Sequence, residues 1–474
     1  MLSVFARATT SAMALLAAVF ALAGCGPAPA DGRQPVTLVV TGGIVVTMDP
    51  GRRVLSPGAV AVDGAAIVAV DTPAAIGARY RAGETIDTSG LAVLPGLINT
   101  HTHAPMVLYR GLADDLALME WLERYIFPAE ARTVSPEFVR AGTRLAALEM
   151  IRSGTTTFAD MYYFEEEIAS VVKEAGLRGV LGQTIIQFPV ADAPTPGDGL
   201  ARAERFMQQF QGDELVVATV APHSMYTLDE ASLRATRALA DRFGTPLLIH
   251  VAETQDEVKG AVERHRQSPV AYLDGLGLWG GAALAAHGVW LTDGDIATLA
   301  ARRVGVSHNP ESNMKLASGA APVVALRNAG VAVGLGTDGA ASNNDLDMFE
   351  AMRQAAFLQK LHLGDPRALA ALQVIEMATR DGATALGMAD RIGSLEPGRR
   401  ADLITVSLSA PRQVPLYNPV SHLVYVTRGD DVRDVVVNGR VLMRSGRVLT
   451  LDEAAVLAEA RGWGERVRAA VQKP

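Results

Sequence analysis

The sequence predicts an α/β fold, a distorted (β/α)8 TIM barrel joined to a small composite β-sandwich domain that is built from both chain ends. Eight apolar, strand-like runs alternate with helical stretches through the middle of the chain, which is the pattern of a parallel barrel. Stretches rich in β-formers, with Gly-Gly, Asp-Gly and Asn-Gly turn signals, precede and follow that alternation, as expected for hairpins. The 474 residues, 49% of them hydrophobic, are sufficient for a core of this size.

The predicted elements divide the chain into a barrel, a β-domain and a terminal helix. The barrel covers 91–393, with strands at 91–97, 155–161, 179–186, 215–221, 246–251, 282–287, 304–307 and 331–336. Its helices are predicted at 137–153, 165–174, 200–211, 228–243, 292–301, 323–328 and 373–386, and an excursion, 105–136, would cover its mouth. The β-domain combines 36–90 with 394–450, and a C-terminal helix covers 451–474. A domain made from both chain ends suits a closed barrel, whose termini meet at one end.

The first 24 residues resemble a bacterial lipoprotein signal peptide. Arg7 precedes an apolar run, 14–23, that is too short for a permanent membrane span and ends in Leu-Ala-Gly-Cys. Cys25 is therefore the predicted lipidation site, and 25–35 the tether that follows it. Since Gly26 is not the Asp that commonly retains lipoproteins in the inner membrane, we expect an outer-membrane anchor facing the periplasm. The alternative is an ordinary secretory signal with an incidental cysteine.

Composition excludes several other classes of function. The net charge is −8 and no basic tract occurs, which argues against a nucleic-acid partner. Cys25 is the only cysteine. Intramolecular disulfides, cysteine metal sites and cysteine nucleophiles are therefore excluded. The lipid at Cys25 is the only membrane contact that the sequence predicts.

Histidine and aspartate side chains lie at the ends of four predicted strands. His101 and His103 share one face of the first strand end, and His250, His287 and Asp338 end three other strands. Because the carboxyl ends of barrel strands meet at one mouth, we expect these five residues to share a cavity. Imidazoles and one carboxylate suit Zn²⁺, the favoured ion, or Fe²⁺. No Lys ends the strand at 215–221 to bridge a second ion, so the sequence predicts one divalent metal.

These residues lie in longer motifs that resemble the amidohydrolase superfamily. The motifs are His101-Thr-His103, His250-Val-Ala-Glu253, His287, Ser-His-Asn-Pro at 307–310, Gly-Thr-Asp-Gly-Ala-Ala-Ser at 336–342 and Gly-Ser-Leu-Glu-Pro-Gly at 393–398. Within the superfamily, the chain is similar to the 5′-methylthioadenosine/S-adenosylhomocysteine deaminase branch. That similarity rests on residues 103–106, 110–111, 115–116, 120–122, 128–130, 222–224 and 309–316. Triazine hydrolases and other aminopurine or pterin deaminases share much of this pattern.

The resemblance implies a role for each matching residue at the metal. His101, His103, His250 and Asp338 match the ligands of one divalent ion that activates a water molecule. Asp338 would also accept a proton from that water, and His287 would orient the attack. Glu253 would protonate the ring nitrogen beside the attacked carbon and then help ammonia to leave.

The same resemblance implies contacts with a purine nucleoside. Trp121 would pack against the nucleoside, Glu130 would accept ribose hydroxyls, and His223 would contact sugar or base, with Ser342 near the metal. Trp121 could instead be simple helix packing. Relatives that use S-adenosylhomocysteine well have an Arg after the third strand, whereas the matching residue here is Gln183. Since Gln cannot form a charge-assisted pair with a carboxylate, weaker use of that substrate is predicted.

The sequence therefore predicts a metal-dependent deaminase of an adenine nucleoside, and two alternatives stay open. One is a hydrolase or deaminase that acts on guanine, a pterin or a triazine with the same metal site. The other is a surface lipoprotein that binds a ligand without turnover, although such a protein needs no proton shuttle. Some relatives are oligomers, so a homo-oligomer also stays open.

Overall fold

The computed structural model describes residues 32–471. The predicted signal peptide, Cys25 and most of the predicted tether lie outside these residues. The strands, in chain order, are β1 Gln34–Thr41, β2 Ile44–Val46, β3 Val54–Leu55, β4 Ala59–Asp63, β5 Ala66–Asp71, β6 Tyr80–Asp87, β7 Leu91–Pro95, β8 Leu97–Thr102, β9 Thr155–Tyr162, β10 Arg178–Ile185, β11 Val216–Pro222, β12 Leu247–Val251, β13 Ala283–His287, β14 Gly305–His308, β15 Val333–Leu335, β16 Leu403–Ser407, β17 Val432–Val437, β18 Arg440–Arg444 and β19 Arg447–Val448.

The α-helices, in chain order, are α1 Pro73–Arg79, α2 Leu118–Trp121, α3 Phe127–Thr133, α4 Pro136–Arg152, α5 Glu165–Ala175, α6 Pro196–Gln209, α7 Glu230–Phe243, α8 Gln255–His265, α9 Pro269–Gly275, α10 Asp293–Arg302, α11 Pro310–Lys315, α12 Val323–Asn328, α13 Met348–Leu363, α14 Ala371–Met377, α15 Arg380–Ala385, α16 Pro419–Tyr425 and α17 Glu453–Val471. Short 3₁₀ helices cover Ala104–Tyr109, Leu278–Gly280, Pro411–Gln413 and Gly429–Asp431, and one π-helical turn covers Leu122–Ile126. Within residues 32–471 no helix combines the length and apolar character that a bilayer crossing requires.

Eight parallel strands form the barrel, in the order β11-β10-β9-β8-β15-β14-β13-β12. The sheet closes between β11 and β12 through a single parallel bridge, Ser224 to His250, at the carboxyl end of the strands. Because only one bridge joins β11 and β12, the barrel is distorted at this seam. The predicted (β/α)8 fold class is therefore confirmed.

Two further sheets hold the strands from both chain ends. One has the order β5-β4-β1-β6, and the other has the order β19-β18-β17-β16-β7-β2-β3. Apolar residues from both ends, including Val40, Val93, Leu403 and Val436, pack in one buried cluster. The predicted composite β-domain is present because strands that are remote in sequence pair here.

Two predicted elements are divided in the structure. The run at 91–97 was predicted as one barrel strand, but it is cut at Gly96 into β7, which belongs to the β-domain, and β8, which starts the barrel. A Cβ atom on Gly96 would lie 2.1 Å from Oγ1 of Thr156, so the chain passes too close to β9 for any larger residue. The predicted helix at 373–386 is two helices, α14 and α15, because the backbone of Thr379 is not helical.

Candidate active site and metal centre

Four histidine rings and one carboxylate meet at the carboxyl ends of the barrel strands. The ring of His101, in β8, has its centroid 4.9 Å from that of His103, 4.9 Å from that of His250 and 5.4 Å from that of His287. Oδ1 of Asp338, just after β15, lies 3.4 Å from Nε2 of His101 and 3.3 Å from Nε2 of His103. The five strand-end residues chosen from the sequence therefore lie together.

Hydrogen bonds on the outer ring nitrogens leave three inner nitrogens facing one point. Nδ1 of His103 donates to the carbonyl of Met161 at 2.6 Å, and Nδ1 of His250 donates to the carbonyl of His223 at 2.7 Å. Both Nε2 atoms then carry lone pairs, although they lie only 3.4 Å apart. Nε2 of His101 is buried and has no hydrogen-bond partner in the described chain. Lone pairs that point at one another without a donor repel, and a bound cation removes that repulsion.

The donor atoms fall within reach of a single ion. Nitrogen atoms of His101, His103 and His250 lie within 4.8 Å of one another, and so do ligand atoms of His101, His287 and Asp338. Three imidazoles and a carboxylate are a donor set that Zn²⁺ accepts. The residues present therefore fit one divalent metal.

Asp338 is held in one orientation by donors on both of its oxygens. Oδ1 accepts the N–H of the next residue at 2.7 Å, and Oδ2 accepts the hydroxyls of Ser312 at 2.6 Å and Ser342 at 3.0 Å. Burial opposes the charge of Asp338, but the N–H and hydroxyl donors on its two oxygens favour the ionised form. Asp338 is therefore a fixed carboxylate beside the metal position.

Both Asp338 and His287 have left-handed backbones, with φ of 64° and 73°. For residues with a Cβ atom this conformation costs on the order of 1–3 kcal/mol each, and such strain is concentrated at functional sites. Nδ1 of His287 lies 3.0 Å from Oδ1 of Asn313, which fixes the ring. The strain therefore falls on two residues that the sequence assigned to catalysis.

Glu253 lies on the opposite side of His287 from Asn313, with Oε2 3.7 Å from Nε2 of His287. Its backbone N–H donates to Oε2 of Glu257 at 2.8 Å, and the N–H of Ala252 donates to Oε1 of Glu257 at 2.9 Å. Burial raises the pKa of Glu253, and the charge of Asp338 adds to the effect although His287 opposes it. A raised pKa favours the protonated form of Glu253, which is the form that a general acid requires.

A cavity opens beside the metal centre. The excursion between β8 and α4 forms one of its walls with apolar side chains and Glu130. The residues that line the cavity are His103, Met106, Leu118, Trp121, Leu122, Ile126, Phe127, Glu130, Met161, Tyr162, Tyr163, Thr184, His223, Tyr226, His250, Glu253, His287, Leu316, Asp338 and Ser342.

The four substrate contacts predicted from the sequence all line this cavity. Trp121 and Glu130 are buried in the excursion wall, and the ring of His223 is 4.9 Å from that of His250. The Tyr162 hydroxyl donates to Oε1 of Glu130 at 2.7 Å. Burial raises the pKa of Glu130 to about 7, although the bond from Tyr162 lowers it. No described residue hydrogen-bonds the other oxygen, Oε2, so Glu130 offers an acceptor to a ligand.

Gln183 does not line the cavity, which corrects the reason given for weak use of S-adenosylhomocysteine. Side chains alternate along β10, and Thr184 is the residue that faces the cavity. Nε2 of Gln183 donates to Oδ2 of Asp192 at 2.8 Å. Arg202, in α6, pairs with Glu166 and Asp192 and lies over the ring of Phe164. Neither side chain therefore reaches a ligand in this cavity.

The structure adds functional residues that sequence reasoning missed. Ser312 holds Asp338, and Asn313 holds His287. Tyr162 holds Glu130, and Glu257 holds Glu253. Two of them, Ser312 and Asn313, lie inside the motif at 309–316 that carried the resemblance, and that motif was a signal for them. Nothing in the sequence singled out Tyr162 or Glu257, because their roles depend on contacts between elements.

Comparison with known proteins gives a consistent set of similarities. Residues 92–442 match the sequence model described as "Amidohydrolase family". The chain is 47% identical over 430 residues to a 5-methylthioadenosine/S-adenosylhomocysteine deaminase of Syntrophobacter fumaroxidans, covering 91% of this chain and 98% of that protein. It is 45% identical over 432 residues to a 5′-deoxyadenosine deaminase of Methanosarcina acetivorans, with coverage of 91% and 98%. The crystal structure of an adenosine deaminase from Xanthomonas campestris with bound zinc has a TM-score of 0.90 and 43% identity, over 92% of this chain and 100% of that one.

Proposed function

The chain belongs to the amidohydrolase family, and we propose that it catalyses the hydrolytic deamination of adenine nucleosides to the inosine analogues and ammonia. One observation carries the proposal. Glu130, a buried acceptor suited to sugar hydroxyls, faces the same cavity as Glu253 and the metal centre. A single ligand can then span an acceptor for the sugar at one end and a proton donor for the base at the other.

We assign Zn²⁺ as the ion held by His101, His103, His250 and Asp338. Support comes from the set of imidazole and carboxylate donors and from the zinc in the similar adenosine deaminase structure. When bound, a divalent ion of this kind makes a water molecule nucleophilic at neutral pH.

The remaining chemistry is performed by side chains of the chain. The carboxylate of Asp338 accepts a proton from the attacking water through Oδ1, because serine hydroxyls already occupy Oδ2. His287, held by Asn313, orients that water through Nε2. Glu253 donates its proton to the ring nitrogen beside C6. The water oxygen bonds to C6. Asp338 then gives the proton it accepted to the amino nitrogen, the new hydroxyl on C6 gives its proton to Glu253, and the bond from C6 to the amino nitrogen breaks to release ammonia.

At the sugar end, Oε2 of Glu130 accepts hydrogen bonds from the ribose hydroxyls. Tyr162 holds the other oxygen and so fixes the orientation of the carboxylate. Trp121 and His223 complete the wall around the nucleoside. This arrangement distinguishes nucleosides from free bases, because a base alone offers no hydroxyl to Glu130.

The residues of the same wall also determine which group the substrate can carry at its 5′ position. None of the cavity-lining residues in the described chain is Lys or Arg. A substrate that carries an amino-acid carboxylate would therefore find no charge-assisted partner there. We accordingly propose 5′-methylthioadenosine, 5′-deoxyadenosine and adenosine as better substrates than S-adenosylhomocysteine.

Turnover of a defined panel tests the proposal. The full chain, loaded with zinc, would be assayed by ultraviolet absorbance and ammonia release on these four nucleosides and on guanine, with Glu253→Gln as the control for contaminating activity. We expect turnover of the adenine nucleosides and none of guanine. No turnover of any adenine nucleoside by zinc-loaded protein would refute the proposal and leave guanine, a pterin or a triazine as the substrate class.

We further propose that the chain is exported and lipid-anchored through Cys25. The support is the sequence of its first 25 residues, in which a short apolar run ends in Leu-Ala-Gly-Cys. An enzyme in that location would act on nucleosides outside the inner membrane.

A further inference from the structure

Two fully buried carboxyl groups next to the metal centre have no part in the proposed chemistry. Asp160 lies near the end of β9 and Glu165 is the first residue of α5, and both are 0% exposed. Neither lines the cavity. No Lys or Arg within residues 32–471 forms an ion pair with either group. A buried carboxylate without a cation needs another source of stabilisation.

Asp160 binds the chain on both sides of the metal ligand His103. Its Oδ2 accepts the Thr102 hydroxyl at 2.7 Å and the N–H of Ala104 at 2.6 Å. The carbonyl of the next residue, Met161, accepts Nδ1 of His103 itself. Three hydrogen bonds from the end of β9 therefore set the position and the ring orientation of His103.

Glu165 links the same strand end to the sugar side of the cavity. Its Oε1 accepts the N–H of Tyr162 at 2.8 Å, and the hydroxyl of Tyr162 binds Glu130. The remaining oxygens, Oδ1 of Asp160 and Oε2 of Glu165, are buried and have no donor in the described chain. An unpaired buried acceptor is costly, and a single proton between these two oxygens would satisfy both.

The electrostatics indicate which residue holds that proton. Burial raises the pKa of Glu165 well above its ordinary value, and the neighbouring charge of Asp160 raises it further. Burial also raises the pKa of Asp160, but the donors at Thr102 and Ala104 and a hydrogen bond from Glu165 lower it. Asp160 accepts two donors on Oδ2 and Glu165 accepts only one on Oε1, so Asp160 is the carboxylate of the pair and Glu165 the acid.

We propose that Asp160 and Glu165 form a proton-sharing pair that positions His103 for metal binding. Glu165 donates to Asp160, the pair keeps one negative charge, and Asp160 holds Thr102 and Ala104 around the ligand. Both are positioning residues, since neither touches the metal position or the substrate. The inference rests on the metal centre of the proposed function and concerns how that centre is supported.

Amide substitutions distinguish a proton that Asp160 and Glu165 share from two acids that titrate independently. In Glu165→Gln, the amide of Gln donates to the Asp160 carboxylate in place of the Glu165 acid. In Asp160→Asn, the amide of Asn donates to Glu165, which becomes the carboxylate. Each single variant therefore keeps one donor and one negative charge. The double variant, D160N/E165Q, loses the charge and sets two amide donors against each other. Glu167→Gln is the matched control, because Glu167 lies in the same helical turn and pairs with Arg140 at the surface.

The measurement is zinc affinity of the full chain, obtained by competition with a chelator. We expect each single variant and the control to weaken zinc binding by less than about 3-fold. The double variant should weaken zinc binding by about 10- to 100-fold, the usual effect of losing a residue that supports a metal ligand. A single variant that loses as much affinity as the double variant would overturn the proposal. Unchanged affinity in the double variant would overturn it too.

Infrared spectroscopy keeps the proposal testable if the double variant does not fold. At pH 9 the wild type should show the carbonyl stretch of one more protonated carboxylic acid than Glu165→Gln or Asp160→Asn. If the spectra of the wild type and of the single variants are equal, the shared proton is refuted. Neither readout uses a substrate, so a failure here is distinguishable from a failure of the proposed deamination, which the turnover panel measures.

Discussion

Replacing Glu130 by Gln tests whether the cavity is built for a ribose. The substitution keeps the size of the side chain and an acceptor for the Tyr162 hydroxyl, which lies 2.7 Å from Oε1. It removes the negative charge and replaces one oxygen by an amide that donates. Oε2 of Glu130, which has no described partner, can no longer accept two ribose hydroxyls as a carboxylate does.

The expected effect follows from the strength of a hydrogen bond to a charged group. Such a bond contributes about 1.5–3 kcal/mol, and each 1.4 kcal/mol is a factor of ten. Glu130→Gln should therefore lower kcat/KM for adenosine by about 10- to 150-fold, mainly through KM. The related analogue 2′,3′-dideoxyadenosine lacks both hydroxyls, so wild type and variant should use it equally well.

The pH dependence of KM gives an independent check of the role of Glu130. Because the pKa of Glu130 is raised to about 7 by burial, the carboxyl group gains its proton as the pH falls through that value. The wild-type KM for adenosine should then rise below pH 7, whereas the KM of Glu130→Gln should not. Tyr162→Phe is the matched control: it removes the donor that lowers the pKa of Glu130 and keeps the carboxyl group, so the rise in KM should move to a higher pH. An equal loss of activity on adenosine and on the dideoxy analogue would refute the assignment of Glu130 to the sugar.

The site and the sequence support five further predictions. Glu253→Gln should lower kcat by about 10²- to 10⁴-fold, as expected for loss of a general acid, with zinc content unchanged; a wild-type kcat would contradict the role of Glu253. Wild-type kcat should also fall as the pH rises through the raised pKa of Glu253, because the acid form is the one that acts. Removal of the metal with a chelator should abolish turnover and lower the Tm, and zinc should restore both, since ligand binding stabilises the folded state; full activity in metal-free protein would exclude the metal mechanism. The kcat/KM for S-adenosylhomocysteine should be about tenfold or more below that for 5′-methylthioadenosine, and comparable values would contradict the argument from the missing cation. Cys25→Ser should abolish incorporation of labelled fatty acid in cells, whereas equal labelling would exclude Cys25 as the anchor.

The sequence determined the barrel and the residues that meet at its mouth. The alternation of strands and helices requires a parallel sheet covered by helices, and closure of that sheet brings all strand ends to one side. His101, His250, His287 and Asp338 could therefore be grouped without coordinates. This inference needs only the position of each residue at a strand end, and an error of one or two residues in strand length does not change it.

Tertiary structure decided the features that depend on the direction of single side chains. Gln183 was chosen by its position in the sequence, but adjacent residues of a strand face opposite sides, and it is Thr184 that lines the cavity. The division of 91–102 at Gly96 depends on how closely β8 approaches Thr156. Neither relation leaves a periodic signal in the chain.

The supporting hydrogen bonds were also decided only by the folded chain. Asp160 contacts residues 58 and 56 positions away, and Tyr162 contacts Glu130 at a separation of 32. Such pairs form because the parallel strands and the excursion bring remote backbone and side-chain groups within 3 Å of one another. Residue type and local pattern report which groups can donate or accept. Only the packing of the elements determines which donor meets which acceptor.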